Sequence, residues 1–217
     1  MKEFPSLIDD ADLPSSLDTQ SADADPKCQV MIAPVLHFKY ELVRIVSGVL
    51  HSLYGTHNPT EAPRVLLEKQ FNNDLQEWRC QIAPFLDASQ VELKFLLPMF
   101  ERQSNMLSLA YAHAVILINR GWVLSELKYS YLGPGEDMRS DVSACLSAAL
   151  SILHTINRMF QANGIFPAYW FTQYQGFCAI VIIYTYTIRA WSEDNEFCLK
   201  HFRAAERCQS QIASIAQ

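Results

Sequence analysis

Leu107 to Trp122 reads LSLAYAHAVILINRGW, and this stretch decides the fold. From Met106 to Ile118 it is apolar nearly all round, as a central core helix is. Polarity returns abruptly at Asn119 and Arg120. The helix is expected to begin near Val91 or soon after Pro98. Residues 120–132 are expected to follow as a short helix or turn, closed by Gly133-Pro134-Gly135.

The flanking segments carry stripes that suit packing on such a centre. Met31, Val35, Phe38, Leu42, Ile45, Val49 and Leu53 alternate by four and three, lining one face of a helix from about Cys28 to Tyr54. Gly55, Asn58 and Pro59 break it. Thr60 caps the next helix, Pro63 sits in its first turn, and Leu67, Phe71, Leu75, Trp78 and Ile82 make its stripe up to Pro84. Downstream, Val142, Cys145, Ala149, Ile152, Ile156 and Met159 form a clean stripe that Asn163-Gly164 stops. Pro167 opens an uncharged helix reaching about Trp191. Ser192, with Glu193, Asp194 and Glu196, starts the last one. The pattern predicts an all-α protein. Residues 27–217 form a single helical domain of about seven helices, preceded by an extended acidic arm over 1–26.

A chain of 217 residues fits one domain and can bury a full core. Half its residues are apolar, which argues against disorder. Within the arm, Glu3, Asp9, Asp10, Asp12, Asp18, Asp23 and Asp25 stand against Lys2 alone. The formal net charge of -6 therefore sits there, and the rest is near balance. No basic patch stands out, so nucleic acid is not expected as a direct partner. The cysteines (Cys28, Cys80, Cys145, Cys178, Cys198 and Cys208) lack the close pairs a zinc cluster needs. On apolar helix faces they act as small hydrophobes, which suits a reducing, cytoplasmic setting. The N-terminus lacks the apolar segment of a secretory signal. Ile165 to Ile188 carries no charge and is long enough to span a bilayer. Its Pro167, Gln173, Gln175, Gly176 and tyrosines point instead to a buried helix packed on all sides.

In their order and spacing these segments resemble the fungal-specific transcription factor domain, a helical regulatory region that follows a zinc-cluster DNA-binding module. Leu109, Tyr111, His113 and Asn119-Arg120 match its apolar signature helix, with Gly121 where the family usually has Pro. Phe4 to Pro14, FPSLIDDADLP, is similar to the acidic linker midway through the family domain. Leu75-Gln76-Glu77-Trp78-Arg79 with Pro84-Phe85-Leu86, Cys145-Leu146-Ser147-Ala148-Ala149 with Ile152, and Trp170, Tyr174 and Phe177 resemble later family segments. The likeness covers most of residues 4–190 and includes no zinc cluster. It implies the second half of the regulatory domain, as a fragment or as a complete protein. Apolar faces uncovered by the missing half would need a partner, self-association as a homodimer, or a ligand.

The resemblance implies two functions. Small fungal proteins of tropolone-sesquiterpenoid pathways, acting as hetero-Diels–Alderases, look like stand-alone versions of such a domain. On that implication the chain is a cofactor-free enzyme guiding a cycloaddition between a tropolone-type quinone methide and an apolar terpene. The alternative is a ligand-binding or dimerisation module of a zinc-cluster regulator, which would place it in the nucleus.

Candidate site residues follow from polarity on apolar faces. His113 and Arg120, seven apart, share a helix face. With Tyr174 they are the candidate catalytic donors, aimed at a ligand oxygen. The rival reading has His113 bonded to a backbone carbonyl and Arg120 neutralised by an acid. Trp170, Tyr174, Phe177 and Tyr184 are a candidate aromatic wall, rivalled by plain core packing. Tyr111, Trp122, His51 and Tyr54 complete the candidate substrate-binding set. No His or acid pair has metal-ligand spacing, and no nucleophile elbow, phosphate loop or dinucleotide fingerprint is present. No cofactor is expected.

Overall fold

A computed structural model describes residues 26–55, 61–86, 98–125, 136–162, 165, 170–190 and 195–215. The chain divides into two units, Met1–Leu36 and His37–Gln217. Of the first, only the helical backbone of 26–36 is described, so the expected arm lies outside the described residues. So do the expected breaks and caps at Asn58-Pro59-Thr60, Gly133-Pro134-Gly135, Asn163-Gly164, Pro167 and Ser192.

The described residues form six helices and no strand, as an all-α protein requires. These are α1 (Pro26–Tyr54), α2 (Glu61–Leu86), α3 (Pro98–Ser125), α4 (Glu136–Gln161), α5 (Trp170–Ala190) and α6 (Asn195–Ile215). Proline at the start of α3 loses nothing, because first-turn N–H groups have no partner within the helix. Contrary to the expected change of element at 120, α3 runs on through Asn119-Arg120-Gly121-Trp122 to Ser125. Charges favour the ends of later helices: Glu196 lies in the first turn of α6, and Arg158 and Arg189 in the last turns of α4 and α5.

α3 is the centre. It packs against α2, α4 and α5, while α4, α5 and α6 pack on one another. Every member of the α4 stripe is buried: Val142, Cys145, Ala149, Ile152, Ile156 and Met159. They meet Leu109, Ala112 and Ile116 of α3, Ile180 and Ile183 of α5, and Cys208 of α6 in one core. Leu42, Val49 and Leu53 of α1, and Leu75, Trp78 and Ile82 of α2, are buried as their spacing required. α3 is also apolar and long enough to cross a membrane. With 56% of that window buried inside the protein, its role as the core helix accounts for the same composition.

α5 departs from expectation. Its buried face carries Thr172, Gln175, Gly176, Ala179, Ile180, Ile183 and Thr187. Trp170, Phe171, Tyr174, Phe177, Val181 and Ile188 are exposed on the opposite side. It is therefore covered on one face, not enclosed on all sides as an uncharged helix suggests. Its close approach to the bundle depends on Gly176. A Cβ there would lie 2.6 Å from Ile212 Cδ1 and 2.8 Å from Ile156 Cδ1. Gly176→Val is expected to destabilise the fold by about 1–3 kcal/mol through overpacking, read as a lower urea midpoint.

Candidate functional site

The end of α3 is tied to α1 and α2 residue by residue. Asn119 and Asn72 exchange amide hydrogen bonds, Asn72 Nδ2 donating to Asn119 Oδ1 at 3.0 Å and Asn119 Nδ2 donating back to Asn72 Oδ1 at 3.3 Å. Arg120 Nε donates to the Tyr54 hydroxyl at 3.0 Å, and its guanidinium lies 4.2 Å from the Tyr54 ring centre. That hydroxyl in turn donates to the Leu117 carbonyl at 2.7 Å. Trp122 Nε1 donates to Glu68 Oε2 at 2.7 Å, and Arg64 Nε donates to Glu68 Oε1 at 2.9 Å. Gly121 leaves room for the Arg64 guanidinium, which a side chain there would strike.

Beside this tie lies an apolar groove of about 440 Å³. Lys39, Leu42, Val43, Val46 and Leu50 of α1 form one wall, and Met106, Leu107, Ala110, His113 and Leu117 of α3 form the floor. Phe171 and Tyr174 of α5 close the other side. Both rings stand edge-on to the His113 imidazole, with centroids at 6.0 and 5.5 Å. A smaller recess between α1 and α2 is rimmed by Glu41, Arg44, Asp74 and Glu77 and lacks this apolar character.

His113 is the groove's unusual group. It is 6% exposed, and its Nε2 is buried with no hydrogen-bond partner. Burial, and then the nearby Arg120 charge, push its pKa down to about 4, so the imidazole is neutral at physiological pH. No backbone carbonyl meets that nitrogen. An orphaned buried nitrogen of this kind costs roughly 1–3 kcal/mol. Tyr174 is partly exposed, and the Cys178 thiol one turn along raises its pKa.

The remaining candidates fall elsewhere. Arg120 does not line the groove; it is held on Tyr54 and has no carboxylate partner among the described residues. Tyr54 and Trp122 belong to the tie. Tyr111 stacks on Trp78 with ring centroids 5.9 Å apart, and the Arg79 guanidinium lies 5.9 Å from the Tyr111 ring centre. Tyr184 donates to Gln209 and packs on Phe202, away from the groove. Trp170 packs edge-on to Phe171 and is exposed, as are Phe177 and His51. Sequence reasoning missed Phe171 and the α1 wall. The wall's signal was present in Lys39, Leu42, Val43, Val46 and Leu50, a second apolar stripe beside the buried one.

Two buried thiols, Cys145 and Cys208, are pushed up to about 12 by burial and stay protonated. Among the described residues no cluster of His, Cys, Asp or Glu is arranged to hold a metal ion. Comparison with protein-family models, curated proteins and solved structures finds no match for the chain.

Proposed function

We propose that the chain binds an apolar small molecule in the α1–α3–α5 groove, with His113 meeting an oxygen of the ligand. The observation that carries this reading is the apolar groove itself, with His113 in its lining and the Nε2 of that residue buried without a hydrogen-bond partner. The groove's volume falls in the range of small-ligand sites, roughly 300–1,000 Å³. Such a site suits a ligand-binding module of a regulator. The Asn119-Arg120-Gly121-Trp122 tie then acts at one remove, holding the α1 wall against α3. The test is Ala110→Phe, which places a ring in the groove floor. Binding of the neutral apolar dye Nile red should weaken at least about tenfold, while the helical circular dichroism is retained. Unchanged dye binding in the folded variant would reject the groove as the site.

A second reading is favoured by the pairing of His113 with Tyr174. Two residues with hydrogen-bonding groups in the lining of one apolar groove suit a cofactor-free hetero-Diels–Alder reaction. The oxygen and exocyclic carbon of a quinone methide would each bond to one alkene carbon, with no atom lost and no proton transferred overall. Confinement lowers the entropic barrier. Donation from Tyr174, or from His113 in the tautomer protonated on Nε2, stabilises charge growing on the oxygen. Incubation with a quinone-methide precursor and a humulene-type alkene tests this reading. One enantiomer formed faster than in a protein-free control supports it, and a product mixture identical to the control leaves binding alone.

A further inference from the structure

We propose that the groove's ligand is an apolar monocarboxylic acid whose chain lies along α1 and whose carboxylate is held by Lys39. This rests on the groove being a ligand site and adds the chemistry of the head group. Among the described residues the groove lining contains one cation, Lys39, and no Asp or Glu. Among the described residues Lys39 has no carboxylate partner, unlike His37, which pairs with Glu41, and Arg64, which pairs with Glu68. The acid closest in sequence, Glu41, is engaged by His37 and, two positions along, points from a different side of the helix.

Shape narrows the ligand further. The wall from Lys39 to Leu50 follows one face of α1 for roughly 16 Å. The groove is therefore elongated, with Lys39 at one end of this wall and aliphatic residues beyond it. Near the other end, Arg120 is turned onto Tyr54, which leaves Lys39 as the cation facing the groove. A single ammonium balances a single negative charge, so a monoanion fits and a phosphate dianion would be left half neutralised.

The test uses the whole chain and three probes of matched length: dodecanoate, methyl dodecanoate and dodecanol, each below the concentration at which it aggregates. Affinities are measured by calorimetry for the parent protein and for Lys39→Gln, Arg120→Gln and Ala110→Phe. Dodecanoate should bind the parent about tenfold more tightly than either neutral probe, and added salt should narrow the gap. Lys39→Gln should bring dodecanoate down to the neutral probes and leave those unchanged. Equal affinity for all three probes would overturn the head-group assignment and leave the groove standing. Loss of the acid preference in Arg120→Gln, but not in Lys39→Gln, would overturn the placement of the carboxylate. If no probe binds the parent, or if Ala110→Phe changes nothing, the groove reading itself fails and takes this one with it.

Discussion

Acidification from about pH 7 to about pH 4 should cost the fold about 3 kcal/mol through His113 alone. The pKa of this imidazole is held at about 4 in the folded chain, against an ordinary 6.5. Burial is the larger cause and the Arg120 charge the smaller. Below 6.5 the unfolded chain takes up a proton that the folded chain refuses until about 4. The stability is therefore complete above the ordinary value and is lost as pH falls through the folded one. Urea midpoints across this range should show the slope in the parent protein. In His113→Leu the component should vanish, with neutral-pH stability held or raised, because an unpartnered polar group has been replaced by an apolar one. An identical slope in the variant would mean that His113 is not the titrating group. Arg120→Gln removes the smaller cause and should raise the His113 pKa in an NMR titration.

Glu68 titrates in the opposite sense. Burial raises its pKa, and Arg64 and Trp122 only partly offset that effect. A raised carboxyl contributes stability below its ordinary value and loses it as pH rises through the folded value. The two slopes thus oppose each other, and the difference between parent and His113→Leu isolates the histidine.

Removing the Glu68 carboxylate should be as damaging as acidification. Glu68→Ala is expected to destabilise the fold by roughly 3 kcal/mol, the lower end of the range for breaking a buried ion pair. The carboxylate is 2% exposed and accepts from both Arg64 and Trp122. Truncation leaves the Trp122 N–H without that acceptor and strands the Arg64 guanidinium against Gly121. Arg64 is 29% exposed and can partly rehydrate, which keeps the cost from being larger. For a chain of this length the melting temperature should fall by roughly 6–12 °C. Glu68→Gln keeps an acceptor oxygen for Trp122 and should lose only about 1 kcal/mol. Thermal denaturation of both variants checks the order. If Glu68→Ala melts with the parent, the tie does not hold α2 to α3.

The candidate site was only partly legible in the sequence. His113 stood out as a polar group in an apolar helix, and Tyr174 as an aromatic hydroxyl on an uncharged one. The structure brings these two together at 5.5 Å between ring centroids. It separates them from Tyr184, Tyr111 and Trp122, which have partners of their own. Helical spacing places residues on a face of their own helix. It carries no information about which helix that face meets.

What the sequence determined by itself is the all-α class and the inward faces of α1, α2 and α4. Those follow from local periodicity: Val142, Cys145, Ala149, Ile152, Ile156 and Met159 share one side of a helix whatever surrounds it, and burial of that side is the dominant gain on folding. Tertiary structure alone decided which side of α5 is covered, because the covered side carries Thr172, Gln175 and Thr187 while the exposed side carries Trp170, Phe177 and Ile188, the reverse of what polarity favours. It also decided that Arg120 rests on Tyr54, 66 positions away, rather than on an acid. The orphaned nitrogen of His113 belongs to the same class, since a hydrogen bond, or the lack of one, depends on neighbours brought together only by packing.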